Sequence, residues 1–285
     1  MRKQDSLLTF LTSCFTCFVF GQTKCDSIFF GKSSETPIAK WLPQTKNELQ
    51  IIDHTAYTLG YFEEHEQAAW VYYVLSKEEC NGEEERSSSF YQDKQITTGS
   101  ALNSDYKKSG YDRGHLAPAG DMSYDSLVMK ESFYYSNISP QVPAFNRGIW
   151  KKLETQVRNW GIMYESCIII TGPVLSDSLP TIGVNKVSVP NWYYKIVINP
   201  HHNPVQAIGF LMRNESSSAE LSEFVVTIDS IEVVSGIDFF ADLPTSCEQL
   251  IESTVDGSYW KGFETICISC PISLPSSRKK QHTTN

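Results

Sequence analysis

Residues Tyr111-Asp112-Arg113-Gly114-His115-Leu116-Ala117-Pro118-Ala119-Gly120-Asp121-Met122 set the reading of the whole chain. At their centre Asp112-Arg113-Gly114-His115 places a proton acceptor beside a fixed cation, and the glycine lets the backbone approach a ligand closely. A second polar stretch follows, Asn137-Ile138-Ser139-Pro140-Gln141 and then Asn146-Arg147-Gly148-Ile149-Trp150-Lys151-Lys152-Leu153-Glu154. Together the two supply a base, cations, a neutral oxygen ligand and a carboxylate. That set suits metal-assisted cleavage of a phosphodiester.

Such a cleavage needs an activated water, neutralised charge on the phosphoryl oxygens and help for the leaving oxygen. Histidine does the first task because its ordinary pKa lies near neutrality. A hard cation such as Mg²⁺ does the others; it prefers oxygen ligands and often keeps several waters, so one protein side chain can suffice. His115 and Asn146 fit these two roles. From Arg147 to Met163 the apolar positions Ile149, Leu153, Val157 and Trp160 recur at helical spacing. Glu154 therefore falls on the helix that Asn146 opens, about 12 Å farther along its axis.

Asp112-Arg113-Gly114-His115 with Leu116-Ala117-Pro118, followed by Asn137, Gln141, Asn146 and Glu154, closely resembles the DNA/RNA non-specific endonuclease family. The resemblance covers most of residues 50–245 by element order and is sharpest over 111–154. It implies an α+β fold: a single mixed domain with a central antiparallel sheet flanked by helices and a ββα-metal (His-Me finger) site. It implies His115 as general base, Asn146 as metal ligand through its side-chain oxygen, and Glu154 holding a metal-bound water or a neighbouring contact. Arg113 would contact phosphate or steady the site, and Arg86 would stabilise the transition state. Asn137 and Gln141 would meet substrate or shape the loop that fixes base and metal. The implied activity is metal-dependent, sequence-non-specific cutting of DNA and RNA with Mg²⁺, or Mn²⁺ in its place, leaving 5′-phosphate ends. A binding protein on the same fold, without activity, would lack His115 or Asn146, and neither is lost. A phosphodiesterase of small nucleotides or lipids would need a closed pocket rather than an open basic groove.

The rest of the chain bounds this reading. It has 285 residues, is 41% hydrophobic and 12% aromatic, and carries a net charge of −9. That content supports a sizeable core. The charge excludes a protein that coats nucleic acid by bulk electrostatics. A local basic cleft remains compatible: Lys107, Lys108, Arg113, Lys130, Arg147, Lys151, Lys152 and Arg158 outnumber Asp112, Asp121, Asp125, Glu131 and Glu154 around the motif. Glu154, between Lys151, Lys152 and Arg158, could also be a solvated helix carboxylate in exposed pairs.

Residues 1–21 read as a signal peptide, with basic Arg2-Lys3, an apolar run from Leu7 to Phe20 and a cleavage site after Gly21. That predicts a secreted or periplasmic protein with no membrane span, although Cys14 could instead be a lipoprotein anchor. Residues 22–44 read as an extended lead-in, 45–260 as the endonuclease domain and 261–285 as a C-terminal tail. Six cysteines remain after cleavage, enough for up to three disulfides whose pairing stays open. A homodimer is compatible with the sequence.

Strands are expected at Trp70–Leu75, Cys167–Val174, Trp192–Ile198 and Val205–Met212, and short helices at Ser126–Ser132, Ser218–Val226 and Ile228–Ser235. Asn137–Asn146 reads as irregular chain. The remaining histidines, His54, His65, His201, His202 and His282, read as packing, turn or tail residues. The sequons at Asn137 and Asn214 read as chance, the first being expected to lie buried.

Overall fold

The computed structural model describes residues 41–202, 204–264 and 267–268. The signal peptide, nearly all of the lead-in, Cys14, Cys25, Cys270 and His282 lie outside the described residues.

Long runs of β-branched and aromatic residues build one seven-stranded sheet. In spatial order its strands are Val225–Val226, Gln206–Arg213, Trp192–Asn199, Ser166–Pro173, Gln67–Ser76, Tyr57–Phe62 and Gln50–Asp53. Every neighbouring pair is antiparallel. The expected α+β fold with a central antiparallel sheet is therefore present.

Both faces of the sheet are covered, so its central strands are buried along their length and read as largely apolar runs rather than as an alternation. On one face Val71, Tyr73, Leu75, Ile169, Val197 and Phe210 pack with Leu153, Val157 and Trp160 of the helix Lys151–Met163. On the other, Trp70, Tyr72, Ile168, Ile170 and Ile196 pack with Ile228 and Ile231 of the helix Ile228–Ser235 and Ile251 of the helix Thr245–Glu252. The helix Ser126–Ser132 forms where expected, with Asp125 Oδ1 accepting from the amides of Leu127 and Val128.

The first face also carries a small hairpin, Asp112–His115 paired antiparallel with Ile138–Gln141. With the helical segment that begins at Asn146 it makes the expected ββα unit. The second hairpin strand corrects the reading of Asn137–Asn146 as irregular. Pro140 masks it, yet a two-stranded hairpin tolerates a residue without an amide proton. Ser139 fastens this strand to the sheet through Gln67 Oε1 at 2.5 Å and the Tyr193 hydroxyl at 2.6 Å.

Other expectations shift. Only Leu221–Phe224 of the helix expected at Ser218–Val226 is helical, as one 3₁₀ turn, because Val225 and Val226 pair with Phe210 and Gly209 at the sheet edge. Cys80 and Cys167 are free thiols, the second pushed up to about 12 by burial, whereas Cys247 is disulfide-bonded. His54 meets Asp93 at 3.0 Å, His65 meets Ser188 and His201 meets Ser166, so these histidines are held in structural contacts.

Trp160 joins the site helix to the end of the domain. It is fully buried, with ring centroids 4.8 Å from Trp260 and 5.3 Å from Phe263, and its indole donates to the Lys261 carbonyl at 3.2 Å. Trp160→Ala should lower unfolding free energy by about 3–5 kcal/mol in urea denaturation. A loss below about 1 kcal/mol would show that the 260–263 segment does not seal this core.

Candidate active site

His115 ends the first hairpin strand and is 6% exposed. It lies at the wall of a cavity of about 520 Å³, lined also by Arg86, Asn146, Arg147, Lys151, Glu154 and Arg158. The imidazole stands edge-on to Phe133, with centroids 4.6 Å apart at 77°, and Phe90 lies 5.6 Å away. Its Nε2 is buried and has no hydrogen-bond partner. Burial, reinforced by the Arg86 guanidinium, pulls the imidazole pKa down to about 3. His115 is thus neutral at pH 7 and can accept a proton on its imidazole.

Asn137 fixes the chain that leaves His115. Its Oδ1 accepts from Ala117 N at 2.9 Å, and its Nδ2 donates to the carbonyls of Ala117 at 2.9 Å and Ser132 at 2.8 Å. It is fully buried, as is Gln141. A Cβ on Gly114 would stand 2.2 Å from Gln141 Oε1, so the motif glycine is required by the packing of this side chain. Neither residue reaches the cavity. The expectation that Asn137 and Gln141 meet substrate gives way to one of positioning, because their side chains have no open side.

Arg113 is also turned away. Its Nε donates to the Tyr135 hydroxyl at 3.1 Å, its Nη2 donates to Asn103 Oδ1, and the guanidinium lies over Phe90 and Tyr106. It steadies the hairpin and does not line the cavity. Arg86 does line it, 5.1 Å over the Phe133 ring.

Asn146 stands at the end of the short helix Pro143–Phe145, and a kink at Gly148, with φ −104° and ψ −111°, separates it from the helix Lys151–Met163. Asn146 Nδ2 donates to Asp112 Oδ2 at 2.9 Å, which leaves the side-chain carbonyl oxygen as its ligand atom. Asp112 also takes a bidentate contact from Arg147, Nε at 2.8 Å and Nη2 at 2.7 Å. Desolvation raises the Asp112 carboxyl, but the Arg147 and Asn146 hydrogen bonds outweigh it and hold the group below the usual range. Asp112 thereby joins the Asn146 amide to the Arg147 guanidinium.

Behind Glu154 lies a charge network that sequence reading missed. Arg158 Nη1 donates to Asp121 Oδ1 at 2.6 Å, and the Tyr73 hydroxyl donates to Oδ2 at 2.8 Å. Lys195 is fully buried in the sheet, its Nζ unpaired and 4.9 Å over the Trp150 ring. Burial lowers the Lys195 pKa and raises that of Glu154, while the attraction between them opposes both shifts. Arg158 is therefore not the exposed partner of Glu154 that its spacing suggested. The available signal was a lysine inside the apolar strand Trp192–Asn199, since a buried charge persists only with a compensating field.

The donors fit a hard divalent cation. Asn146 and Glu154 bring oxygen atoms to one cavity, with the neutral His115 beside them. Arg86, Arg147, Lys151 and Arg158 surround these groups, and Arg147 and Lys151 are exposed on its rim. The arrangement joins a base to a cationic surface for an anionic substrate.

Comparison with known proteins gives concordant results. A family model described as DNA/RNA non-specific endonuclease matches residues 36–246. Mitochondrial nuclease EXOG of Mus musculus is 32% identical over 229 residues, 74% of this chain and 62% of that protein. Mitochondrial endonuclease G of Bos taurus is 32% identical, covering 68% of this chain and 70% of that protein. Nuclease C1 of Cunninghamella echinulata var. echinulata is 32% identical over 69% of this chain and 84% of its own length. The chain thus spans less than two thirds of the mouse relative. A chain in the crystal structure of the EndoG/EndoGI complex superposes with a TM-score of 0.66 at 31% identity, covering 73% of this chain and 90% of that one.

Two outcomes follow from this geometry. In metal-free protein followed by NMR, the His115 ring should stay neutral at pH 5. Its folded pKa of about 3 lies below the ordinary 6.5, so the unfolded chain binds the proton more readily between these values. Stability should accordingly fall as pH drops through that window. Titration of His115 near pH 6.5 would contradict the buried setting. Asn137→Ala should cost at least about 2 kcal/mol in denaturant unfolding, because it strands a buried amide and two carbonyls; an unchanged midpoint would refute the clamp.

Proposed function

The chain belongs to the DNA/RNA non-specific endonuclease family, and from that premise we propose that it is a metal-dependent, sequence-non-specific endonuclease of DNA and RNA. The observation that carries the reading is a neutral, buried His115 at the wall of a cavity shared with Asn146, Glu154 and four cations.

His115 acts as general base, taking the proton of the attacking water on its neutral imidazole. Its low pKa keeps a ring lone pair free, and Phe133 and the Asn137 clamp keep the ring from rotating away. Asn146, through its carbonyl oxygen, would hold a Mg²⁺-type ion, which Mn²⁺ could replace, and Glu154 would hold a water bound to it. When bound, this ion neutralises charge on the scissile phosphate and on the leaving oxygen. Arg86 donates to the phosphoryl oxygens as charge builds on them. Release of the 3′-oxygen leaves a 5′-phosphate end.

Arg147 and Lys151 on the rim meet backbone phosphates, which carry no base identity, so the enzyme has weak sequence preference. Exposed rim cations also favour a long polyanion over a small nucleotide. The basic start and apolar run of residues 1–21 support export through a signal peptide. No helix among the described residues is long and apolar enough to cross a membrane.

The test is plasmid and RNA cutting with Mg²⁺ and with chelator. His115→Ala should lower the rate about 10²–10⁴-fold, and Asn146→Ala should weaken metal affinity, with partial recovery at high metal. Protein that retards DNA on a gel but cuts nothing with any divalent metal would be a binding module instead.

A further inference from the structure

The face of the sheet away from the cavity carries a second charge cluster. Between Arg213 and Lys261 the chain has no lysine, arginine or histidine, while aspartate and glutamate recur. The fold gathers five of these carboxylates. Asp229 and Glu232 project from the helix Ile228–Ser235, Asp238 from the short strand that follows, and Glu248 and Glu252 from the helix Thr245–Glu252. One oxygen each of Asp229, Glu232 and Glu252 lie within 4.8 Å of one another, and so do those of Asp238, Glu248 and Glu252. Glu252 belongs to both groups.

Glu252 is the telling member. It is 4% exposed, and its Oε1 is buried without a hydrogen-bond partner. A buried acceptor left unsatisfied beside four other carboxylates is costly, and no ion pair among the described residues includes any of the five. We propose that these five carboxylates hold a second divalent cation of the Ca²⁺ class, structural in role and separate from the catalytic ion. The ligand type favours this ion. All donors are hard carboxylate oxygens, with no histidine or thiolate among them, and Ca²⁺ accepts six to eight oxygens in flexible geometry. Glu232 Oε1 already accepts from Phe239 N at 2.9 Å, which fixes its side chain between the two helices.

Without a cation the cluster has to keep protons. Burial and the neighbouring Glu232 and Glu248 push Glu252 up to about 9, and burial raises Asp229, Glu232 and Glu248 as well. A cation would displace those protons and tie the two helices together over the sheet.

The experiment uses purified protein, with Asn146→Ala to weaken the catalytic position, and Ca²⁺ as the only divalent ion. Asn146→Ala should bind one Ca²⁺ in calorimetric titration and gain about 5–10 °C in Tm at saturation. Glu252→Gln placed in that background should lose the bound ion and the Tm gain. In chelator it should melt above its parent, because folding no longer requires Glu252 to take up a proton. Glu248→Gln, at a half-buried position, should weaken Ca²⁺ binding at least about tenfold and serves should Glu252→Gln not fold. If Asn146→Ala binds no Ca²⁺ and its Tm does not respond, the proposal fails, and a proton shared between Glu232 and Glu252 accounts for the pair.

Discussion

Three hydrogen bonds from one buried asparagine decide what this site can do. Asn137 commits both amide protons and its carbonyl oxygen to the main chain of Ala117 and Ser132, so the backbone leaving His115 has one path. That path brings Pro118, Ala119 and Gly120 round to the cavity wall and Asp121 into the core behind it. Gln141, pressed onto Gly114, locks the other side of the same hairpin. The imidazole is therefore placed by backbone geometry and aromatic packing, with no carboxylate needed to hold it in the cavity.

The charges around it form two tiers. Those on the rim, Arg147 and Lys151, are solvated and cost the fold little. Beneath them Asp121 and Lys195 are taken out of water, with Glu154 and Arg158 half-buried at the cavity, and removing a partner of the buried pair would leave an uncompensated charge. Their value lies in the field they set at Glu154. The Lys195 ammonium reaches it from the sheet with no hydrogen bond of its own, so it acts as a fixed charge and not as a ligand. Stability and site electrostatics are thereby one problem in this protein.

Much of this was legible in the chain. Asp112-Arg113-Gly114-His115 and the helical spacing of Ile149, Leu153, Val157 and Trp160 are local signals, and both formed as read. The apolar strands also formed, because their composition suits burial on both faces. What escaped was set by contacts distant in sequence. Polar Asn137 and Gln141 look like ligands until the hairpin closes over them. Arg158 looks like a surface partner of Glu154 until Asp121 comes within 2.6 Å. Ile138–Gln141 contains a proline and pairs only with Asp112–His115, so no periodicity announces it. The helix Thr245–Glu252 is short and acidic, and its apolar side is defined only by the sheet it covers.

The two faces of the central sheet differ in sign as well as in content. One bears the cationic cavity, the other the helices drawn from a stretch without a single basic residue. Such a separation of charge favours the approach of an anion by the cavity face over its approach by the acidic helices. The acidic side then discourages a second strand from lodging there. The net negative charge of the chain therefore need not oppose an anion at the cavity, because the acidic groups gathered by these helices lie across the sheet from it.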